Sequence, residues 1–146
     1  MINYFILLNI ELIQVKPDDW DIILDLRNTF YKMFYKQSKP ISKNEHYEYL
    51  KSHDDDTNFH HWMIKNDEQI VGYIRILQED VGIMIKEEYQ GKGIASRALE
   101  LVIKEAKTLG ISKLVALVKS ENIQSRKIFE KNNFEMKMYW YEKEII

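Results

Sequence analysis

The sequence predicts one α/β domain spanning residues 1–146, with a mixed β-sheet and helices on both faces. Three strand-like runs follow one another closely at about 59–65, 69–77 and 81–86, and strands spaced in this way pair antiparallel. An amphipathic helix follows the third run, and a short apolar strand at 113–118 comes after the helix. Because a helix separates these last two strands, they are expected to be parallel neighbours in one sheet.

Composition limits the classes of function. The chain has 21 basic and 23 acidic residues and a net charge of −2, so it lacks the basic surface typical of nucleic-acid or anionic-membrane binding. We expect a small-molecule partner, no nucleic acid, no membrane, and a monomer or homodimer. The absence of cysteine excludes disulfides, cysteine zinc sites and cysteine nucleophiles, and it fits a cytoplasmic location.

The first half of the chain is predicted to form a strand and two helices. Residues 1–8 are apolar but far short of the roughly 20 residues that span a bilayer, so we interpret them as the lead-in to a strand ending near 15. Pro17 suits the first turn of a helix over about 17–26. Ser42, followed three residues later by Glu45, forms a capping box that opens a second helix to about residue 52.

The second half contains the best-supported helix. Apolar residues recur on one helical face from Ile94 to Ala106, and Gly110 supplies a C-terminal stop. A last helix is predicted at about 122–131 and a last strand at about 134–142. The predicted order is therefore strand, two helices, three strands, helix, strand, helix and strand.

A glycine-bearing turn precedes the best-supported helix. It consists of Gln90, Gly91, Lys92, Gly93, Ile94 and Ala95. No Ser, Thr, Asp or Asn occupies the cap position, so the first backbone N–H groups of the helix lack an obvious partner, which an anion could supply. The same residues would also suit a tight turn without a ligand. A third glycine and a Gly-Lys-Ser/Thr run are missing, so the turn is neither the dinucleotide fingerprint nor a P-loop.

Two motifs resemble the GNAT superfamily of acetyltransferases. Residues 89–95, Tyr-Gln-Gly-Lys-Gly-Ile-Ala, look like its Q/R-x-x-G-x-G/A signature. Residues 122–125, Asn-Ile-Gln-Ser, and 129–134, Phe-Glu-Lys-Asn-Asn-Phe, are similar to its N-x-x-A/S and Y-E-K-x-G-F patterns. The element order is similar to the family's fold over nearly the whole chain. The resemblance implies a GNAT-like fold and an acetyl-CoA-dependent N-acetyltransferase that needs no metal.

The resemblance also implies where acetyl-CoA binds. Its pantetheine arm would lie between splayed strands at 81–86 and 113–118 and pair with the backbone of the first, at Ile83, Met84 and Ile85. The N–H groups of the glycine-bearing turn would hold the pyrophosphate, and Lys92 could reach an outer phosphate. Asn122 would contact the arm near its thiol, or serve only as a helix N-cap. Lys131 would meet a phosphate, or simply be solvated.

Direct attack by the acceptor amine is usual in this family, so no covalent nucleophile is expected. The backbone N–H of Ile85 could polarise the thioester carbonyl. The family's usual acid is a tyrosine, and Phe129 stands in its place and cannot donate a proton. Ser125, one turn earlier, could relay a proton through water or serve packing, and Tyr139 and Tyr141 are further candidates.

The residues leave several candidates for a general base. Glu79 and Asp80 stand at the start of a strand, where an exposed acid is also expected simply to aid solubility. His60 and His61 point to opposite faces of a strand, so at most one of them faces the site. His46 is favoured among the histidines because its helix is expected over the acceptor side.

Acceptor contacts in this fold come from the first two helices and their connection. Leu26-Arg27-Asn28 and residues 41–46, Ile-Ser-Lys-Asn-Glu-His, resemble members that acetylate nucleotide-linked amino sugars. The candidate acceptor-binding residues are Arg27, Asn28, Tyr35, His46 and Arg75. Aromatic rings in the connection could stack on a base or sugar while Arg27 grips a phosphate, or they could pack the helices while Arg27 pairs with an acid. Other small amines, protein N-termini and a non-catalytic acetyl-CoA-binding module remain alternatives.

Overall fold

Four antiparallel strands form the sheet, in a computed structural model that describes residues 8–146. The strands are β1 (Ile10–Gln14), β2 (Phe59–Asn66), β3 (Gln69–Leu77) and β4 (Asp80–Ile85), and they lie side by side in chain order. The predicted α/β class and the three closely spaced antiparallel strands are therefore confirmed. The lead-in predicted at residues 1–8 lies outside the described residues except for its last one.

The described residues also form four α-helices, namely α1 (Trp20–Phe30), α2 (Lys43–Ser52), α3 (Ile94–Thr108) and α4 (Ile123–Lys131). A 3-10 turn at Pro17–Asp19 leads into α1, which continues one turn beyond its predicted end. The cap predicted for α2 is present, since the Ser42 hydroxyl accepts the backbone N–H of Glu45 at 3.2 Å. Among the described residues, no helix combines the length and apolar character needed to cross a bilayer.

The two faces of the sheet bury different cores, because successive strand residues point to opposite sides. On one face, Ile64 and Ile74 pack with Ala98 and Val102 of α3. On the other face, Met63, Tyr73 and Met84 pack with Ile23 and Leu26 of α1. The helices therefore lie on both faces as predicted, with α1 and α3 separated by the sheet.

The last two predicted strands are not formed as regular strands in the described part of the chain. Residues 113–118 meet β4 at one parallel bridge, between Asp80 and Val115, so the parallel orientation is right but the ladder is not. Residues 134–142 are irregular, and all of them except the partly buried Phe134 are exposed. A β-strand requires repeated backbone hydrogen bonds to a neighbouring strand. Residues 113–118 diverge from β4 after a single bridge, so they do not form a ladder with it.

Candidate functional site

A cleft of about 880 Å³ opens beside β4 and extends beneath the connection between α1 and α2. One wall is the run of β4 from Gly82 to Ile85. The opposite wall includes Leu117, Val118 and Asn122. The volume lies within the roughly 300–1,000 Å³ range of small-molecule sites.

The cleft exists because β4 and residues 113–118 diverge. They are joined where the Val81 N–H donates to the Val115 carbonyl and the Val115 N–H donates to the Glu79 carbonyl, both at 2.8 Å. Backbone groups of alternate residues in a strand point to the same edge, so Ile83 and Ile85 face the same side as Val81. Beyond the bridge that edge of β4 borders the cleft, where an extended ligand can pair with it.

The glycine-bearing turn closes one end of the cleft. Gly91 and Gly93 have φ angles of 74° and 83°, a left-handed conformation that costs residues with a Cβ roughly 1–2 kcal/mol. Gly93 is the N-cap of α3 and supplies no side chain, and the first bond within the helix runs from the Arg97 N–H to the Gly93 carbonyl at 3.1 Å. The start of α3 therefore has no side-chain cap, and Ile94 and Ala95 line the cleft there. Their backbone N–H groups are available to bind an anion.

The start of α4 forms part of the opposite wall. The Asn122 side-chain oxygen accepts the Ser125 N–H at 3.2 Å, so Asn122 is the N-cap of α4. Asn122 and Ser125 both line the cleft, and Lys127 and Lys131 line it from the same helix. The capping role of Asn122 is thus fixed, while its place on the cleft wall is compatible with a ligand contact as well.

His46 is buried next to the cleft, with both ring nitrogens bonded and 0% of its surface exposed. Nε2 lies 2.8 Å from the Trp20 carbonyl and Nδ1 lies 3.2 Å from Nη1 of Arg27. Because a carbonyl can only accept and a guanidinium can only donate, Nε2 carries the ring proton and Nδ1 accepts the hydrogen bond from Arg27. Burial lowers the pKa of His46, and the neighbouring Arg27 charge lowers it further. The hydrogen bond to the Trp20 carbonyl acts in the opposite direction but does not cancel these two effects.

Two arginines border the cleft above His46. The Arg27 guanidinium lies over the Tyr49 ring, 5.1 Å from its centroid, and remains charged although burial lowers its pKa. Arg75 donates to the Asp80 carboxylate at 3.3 Å and to the Asp80 carbonyl at 3.1 Å. It lies flat across Gly82, where an added Cβ would approach the Arg75 Cζ to 3.3 Å. Both guanidinium groups are therefore held in place.

A tyrosine and a histidine form a third fixed group. The Tyr73 hydroxyl lies 3.0 Å from Nδ1 of His61, and Tyr73 borders the cleft. Burial raises the pKa of Tyr73 and lowers the pKa of His61 from 6.5 to about 4. Both groups are neutral near pH 7, and the hydroxyl is aimed by its bond to the ring.

Comparison with known proteins identifies the family. Residues 9–135 match the acetyltransferase (GNAT) domain. The chain belongs to the GNAT acetyltransferase family. The match includes both the glycine-bearing turn and the Asn122 motif, so the two motifs and the domain family agree.

Three similar proteins place this GNAT chain among its relatives. An uncharacterised protein of Methanocaldococcus jannaschii is 30% identical over 83% of this chain and 27% of its own length. The uncharacterised N-acetyltransferase YycN of Bacillus subtilis is 34% identical over 55% of this chain and 58% of its own. This chain thus spans about a quarter of the length of the first relative and somewhat over half of the length of the second. A spermidine N-acetyltransferase of Vibrio cholerae, solved with CoA and spermine, has the same fold, with a TM-score of 0.83, 19% identity, and coverage of 94% and 87%.

Most residues predicted for the GNAT site do line the cleft. They are Arg27, Tyr35, His46, Arg75, Ile83, Met84, Ile85, Gln90, Gly91, Gly93, Ile94, Ala95, Asn122, Ser125 and Lys131. The Gln90 side chain also donates to the Ile85 carbonyl at 3.0 Å, which ties the turn to β4. The residues predicted to bind the cofactor and those predicted to bind the acceptor therefore line one continuous cleft.

Three predicted residues are absent from the lining in the described part of the chain. Glu79 lies 3.7 Å from Lys113 on the surface, so its assignment as a base stays a prediction that the geometry does not favour. The Asn28 side-chain amide binds the backbone of Ile41. Its oxygen accepts the Ile41 N–H at 2.9 Å, and its nitrogen donates to the Ile41 carbonyl at 3.0 Å. Lys92 lies over the Tyr89 ring, 5.7 Å from its centroid.

Sequence reasoning missed two groups that line the cleft. Tyr73 reads as a core residue of β3, and only the three-dimensional contact with His61 reveals its aimed hydroxyl. Lys36, Lys39 and Lys127 read as ordinary surface lysines, and only the fold places them along one cavity. The alternation of β3 placed Tyr73 and Arg75 on one face, which was the one signal available.

Proposed function

We propose that this chain transfers the acetyl group of acetyl-CoA to a primary amine whose molecule also carries negative charge, as a nucleotide-linked amino sugar does. The observation that carries the acceptor assignment is the charge of the cleft. Among residues 8–146, seven Lys, Arg, Asp and Glu residues line it, of which six are basic and one is acidic. They are Arg27, Lys36, Lys39, Arg75, Lys127, Lys131 and Asp80.

The cofactor half of the cleft suits coenzyme A. Acetyl-CoA, when bound, supplies the activated thioester. The uncapped N–H groups at the start of α3 would hold the pyrophosphate, and Lys131 and Lys127 would add positive charge nearby. The open edge of β4 at Ile83 and Ile85 would pair with the amides of the pantetheine arm. The cleft between diverging strands is the feature that makes room for that arm.

Transfer requires a neutral amine, a polarised carbonyl and a proton for the leaving sulfur. The amine nitrogen forms a bond to the carbonyl carbon, the carbon–sulfur bond breaks, the nitrogen loses a proton and the thiolate gains one. The Ile85 N–H on the open edge of β4 would polarise the carbonyl. Ser125 lies on the cleft wall at the first turn of α4, where its hydroxyl can pass a proton through water. His46 is fully bonded, so we assign it to holding Arg27.

The acceptor half favours an anion over a polyamine. Arg27, Lys36, Lys39 and Arg75 border it, and Asp80, the acidic residue of the lining within the described part of the chain, is already paired with Arg75. A polycation would bring further positive charge into this field without a free carboxylate to receive it. A phosphate or carboxylate on the acceptor would instead meet guanidinium groups that are held in position. The cytoplasm, where acetyl-CoA is available, is the proposed location.

An acceptor panel tests this assignment. Release of free thiol from acetyl-CoA should be fast with UDP- or dTDP-linked amino sugars and weak with spermidine. Arg75→Met should raise the acceptor KM at least tenfold and leave the KM for acetyl-CoA within twofold, whereas Arg126→Met, outside the cleft lining, should change neither. Equal turnover of spermidine, or loss of acetyl-CoA binding in Arg75→Met, would contradict the proposal.

Phe129 favours a second candidate, an acetyl-CoA-binding module without turnover. Its ring packs against Phe134 at 5.1 Å, and no hydroxyl stands at the position of the family's usual acid. Calorimetry with CoA separates the candidates, because a module binds CoA but releases no thiol with any amine. Phe129→Tyr supplies the missing hydroxyl, so appearance of turnover only in that variant would identify a module that has lost its acid.

A further inference from the structure

A second cavity, of about 240 Å³, lies beside the cleft. Residues from the end of β1, the end of α2 and the start of β2 line it, and they include His53, Asp54, His60 and His61. Leu50 of α2 lines both this second cavity and the cleft, so a single layer of side chains separates the two at that point. The side chains of this separating layer therefore determine what can pass from one cavity to the other.

Two side-chain hydrogen bonds among residues 8–146 join the lining of the cleft to the lining of the second cavity. In the first, the hydroxyl of Tyr73, on the cleft, lies 3.0 Å from Nδ1 of His61, on the second cavity. In the second, Nε2 of His46, on the cleft, lies 2.8 Å from the carbonyl of Trp20, on the second cavity. A carbonyl has no proton to pass on, whereas a hydroxyl and an imidazole can each take up one proton and release another. Only the Tyr73–His61 bond of these two can carry a proton across the layer.

Tyr73 lies in the cleft wall next to the position proposed for the acetyl carbonyl. Tyr73 is 4% exposed and pairs in the sheet register with Met84, the residue before Ile85, whose N–H would polarise that carbonyl. Glu79 lies on the surface near Lys113, and both ring nitrogens of His46 are bonded. The Tyr73 hydroxyl is therefore better situated than either of those groups to meet an attacking nitrogen.

We propose that Tyr73 and His61 together remove the proton of the attacking amine, an inference that rests on the proposed acetyl transfer but not on the identity of the acceptor. When the nitrogen bonds to the carbonyl carbon it becomes positively charged, so its N–H is a far stronger acid than that of the free amine. The Tyr73 oxygen takes this proton while its own O–H proton passes to Nδ1 of His61. The hydroxyl is thereby re-formed and the imidazole becomes an imidazolium. After the product leaves, the proton returns from Nδ1 to the Tyr73 oxygen, and the hydroxyl releases its other proton to solvent in the cleft.

Fixed charges favour movement of the proton from the cleft towards the second cavity. Arg27 and Arg75 line the cleft, and the charges of both act on the Tyr73 hydroxyl. Asp54 lines the second cavity, and its charge favours protonation of His61. A nearby like charge disfavours a cation and an opposite charge favours it. The two arginines therefore repel the proton from the cleft, while Asp54 attracts it to the imidazole.

Both groups start neutral, as the exchange requires. Burial lowers the pKa of His61 to about 4, with smaller contributions from His53 and His60, so Nδ1 is free to accept a proton near pH 7. Burial raises the pKa of Tyr73, so its oxygen releases one proton only as it gains another. The weakly basic imidazole is suited to a short-lived, strongly acidic donor, and it does not hold a proton between turnovers.

Two substitutions separate proton transfer from packing. Tyr73→Phe keeps the ring and removes the hydroxyl, so the kcat for thiol release should fall about 100-fold or more, while the KM for acetyl-CoA stays within about twofold. His61→Asn keeps an oxygen that can accept the Tyr73 hydroxyl but cannot take up its proton, so it should lose kcat to a similar extent. Tyr47→Phe is the matched control, because it removes an exposed hydroxyl bonded to Asp21 at 2.7 Å and lies outside the cleft lining, and it should keep its kcat.

Chemical rescue tests whether His61 acts as a base or only positions Tyr73. His61→Ala enlarges the second cavity, so added imidazole can occupy the vacated position beside the hydroxyl. Imidazole should raise the kcat of this variant about tenfold or more. The similarly shaped 1,2,4-triazole also donates and accepts hydrogen bonds but is a far weaker base, so it should restore much less. Equal rescue by the two compounds would overturn the proposal, because positioning requires only shape and hydrogen bonding.

The remaining outcomes distinguish the proton route from the proposed transfer itself. Circular dichroism and CoA calorimetry first establish that each variant is folded and binds CoA. If the unmodified protein turns over an amine and either Tyr73→Phe or His61→Asn keeps its kcat within about threefold, the proton route is overturned and the transfer stands. If the unmodified protein releases no thiol with any amine, the proposed transfer and the proton route are both overturned.

Discussion

Replacing His46 tests whether this buried ring holds Arg27 or acts as a base. His46→Leu removes a bond to the Trp20 carbonyl at 2.8 Å and a bond from the Arg27 guanidinium at 3.2 Å. A neutral hydrogen bond contributes about 1 kcal/mol and one to a charged group about 1.5–3 kcal/mol. The leucine side chain recovers part of this by apolar burial, so we expect the free energy of unfolding to fall by about 2–3 kcal/mol.

The expected change in thermal stability follows from the size of the chain. A domain of this length unfolds with an entropy of about 300 cal/mol/K, so the loss corresponds to a fall in Tm of roughly 7–10 °C. His46→Gln is the matched variant, because its amide can both donate to the Trp20 carbonyl and accept from Arg27. We expect it to recover at least half of the lost stability, as measured by urea unfolding of the three proteins.

Kinetics separate the two roles. If His46 holds Arg27, His46→Leu raises the acceptor KM about tenfold or more with a smaller change in kcat, and His46→Gln restores most of the affinity. If His46 is the base, both variants lose kcat by 10²-fold or more, since general-base catalysis contributes about that much and glutamine cannot accept the proton. Equal loss of kcat in both, with unchanged stability, would refute the positioning role.

Three further predictions concern the turn, the buried pair and the end of α4. Gly93→Glu should reduce CoA binding in calorimetry at least 100-fold by setting a carboxylate at the uncapped start of α3, whereas Gly93→Ala, which pays only for its left-handed φ, should lose far less. The pKa of His61 falls from 6.5 to about 4 on folding, so the unfolded chain takes up the proton first as the pH falls. The free energy of unfolding should therefore decline by on the order of 2 kcal/mol between pH 6.5 and pH 4. His61→Phe should flatten this dependence of the unfolding free energy on pH. Asn133→Val should lower the unfolding free energy by about 1–2 kcal/mol because residue 133 has a φ of 66°, while Asn133→Gly should leave it equal or higher.

The glycine-bearing turn, where we propose that coenzyme A binds, could be predicted because its conformation depends on neighbouring residues. Gly91 and Gly93 occupy left-handed positions, and the uncapped helix start follows directly from the residues at Gly93 and Ile94. The period change from strand to helix fixed where the turn lies. Short-range rules of this kind need no knowledge of distant contacts.

The proposed acceptor half of the cleft depends on contacts between residues far apart in the chain. Asn28 looked like a ligand contact because of its place in a motif, but its amide is bonded to Ile41 and shapes the connection instead. His46 meets Arg27 and Trp20 only once α1 and α2 have packed. The strand predicted at 134–142 failed for the same reason, because pairing depends on a neighbour that the sequence pattern does not specify.

The second GNAT motif separates what such a pattern specifies from what it does not. Its departures at Phe129 and Asn133 belong to one helix end: the Phe134 N–H donates to the Phe129 carbonyl and the Asn133 N–H to the Glu130 carbonyl, both at 3.0 Å, and the Phe129 and Phe134 rings touch. This is the Schellman arrangement, in which a left-handed residue ends the helix and an apolar pair seals it. Asn133 tolerates the φ for which the family uses glycine, and phenylalanine seals the end as well as tyrosine would. The motif therefore keeps its structural role without the hydroxyl. For this reason it predicts the helix and the cleft wall here but does not predict the proton donor, which we propose to be Ser125.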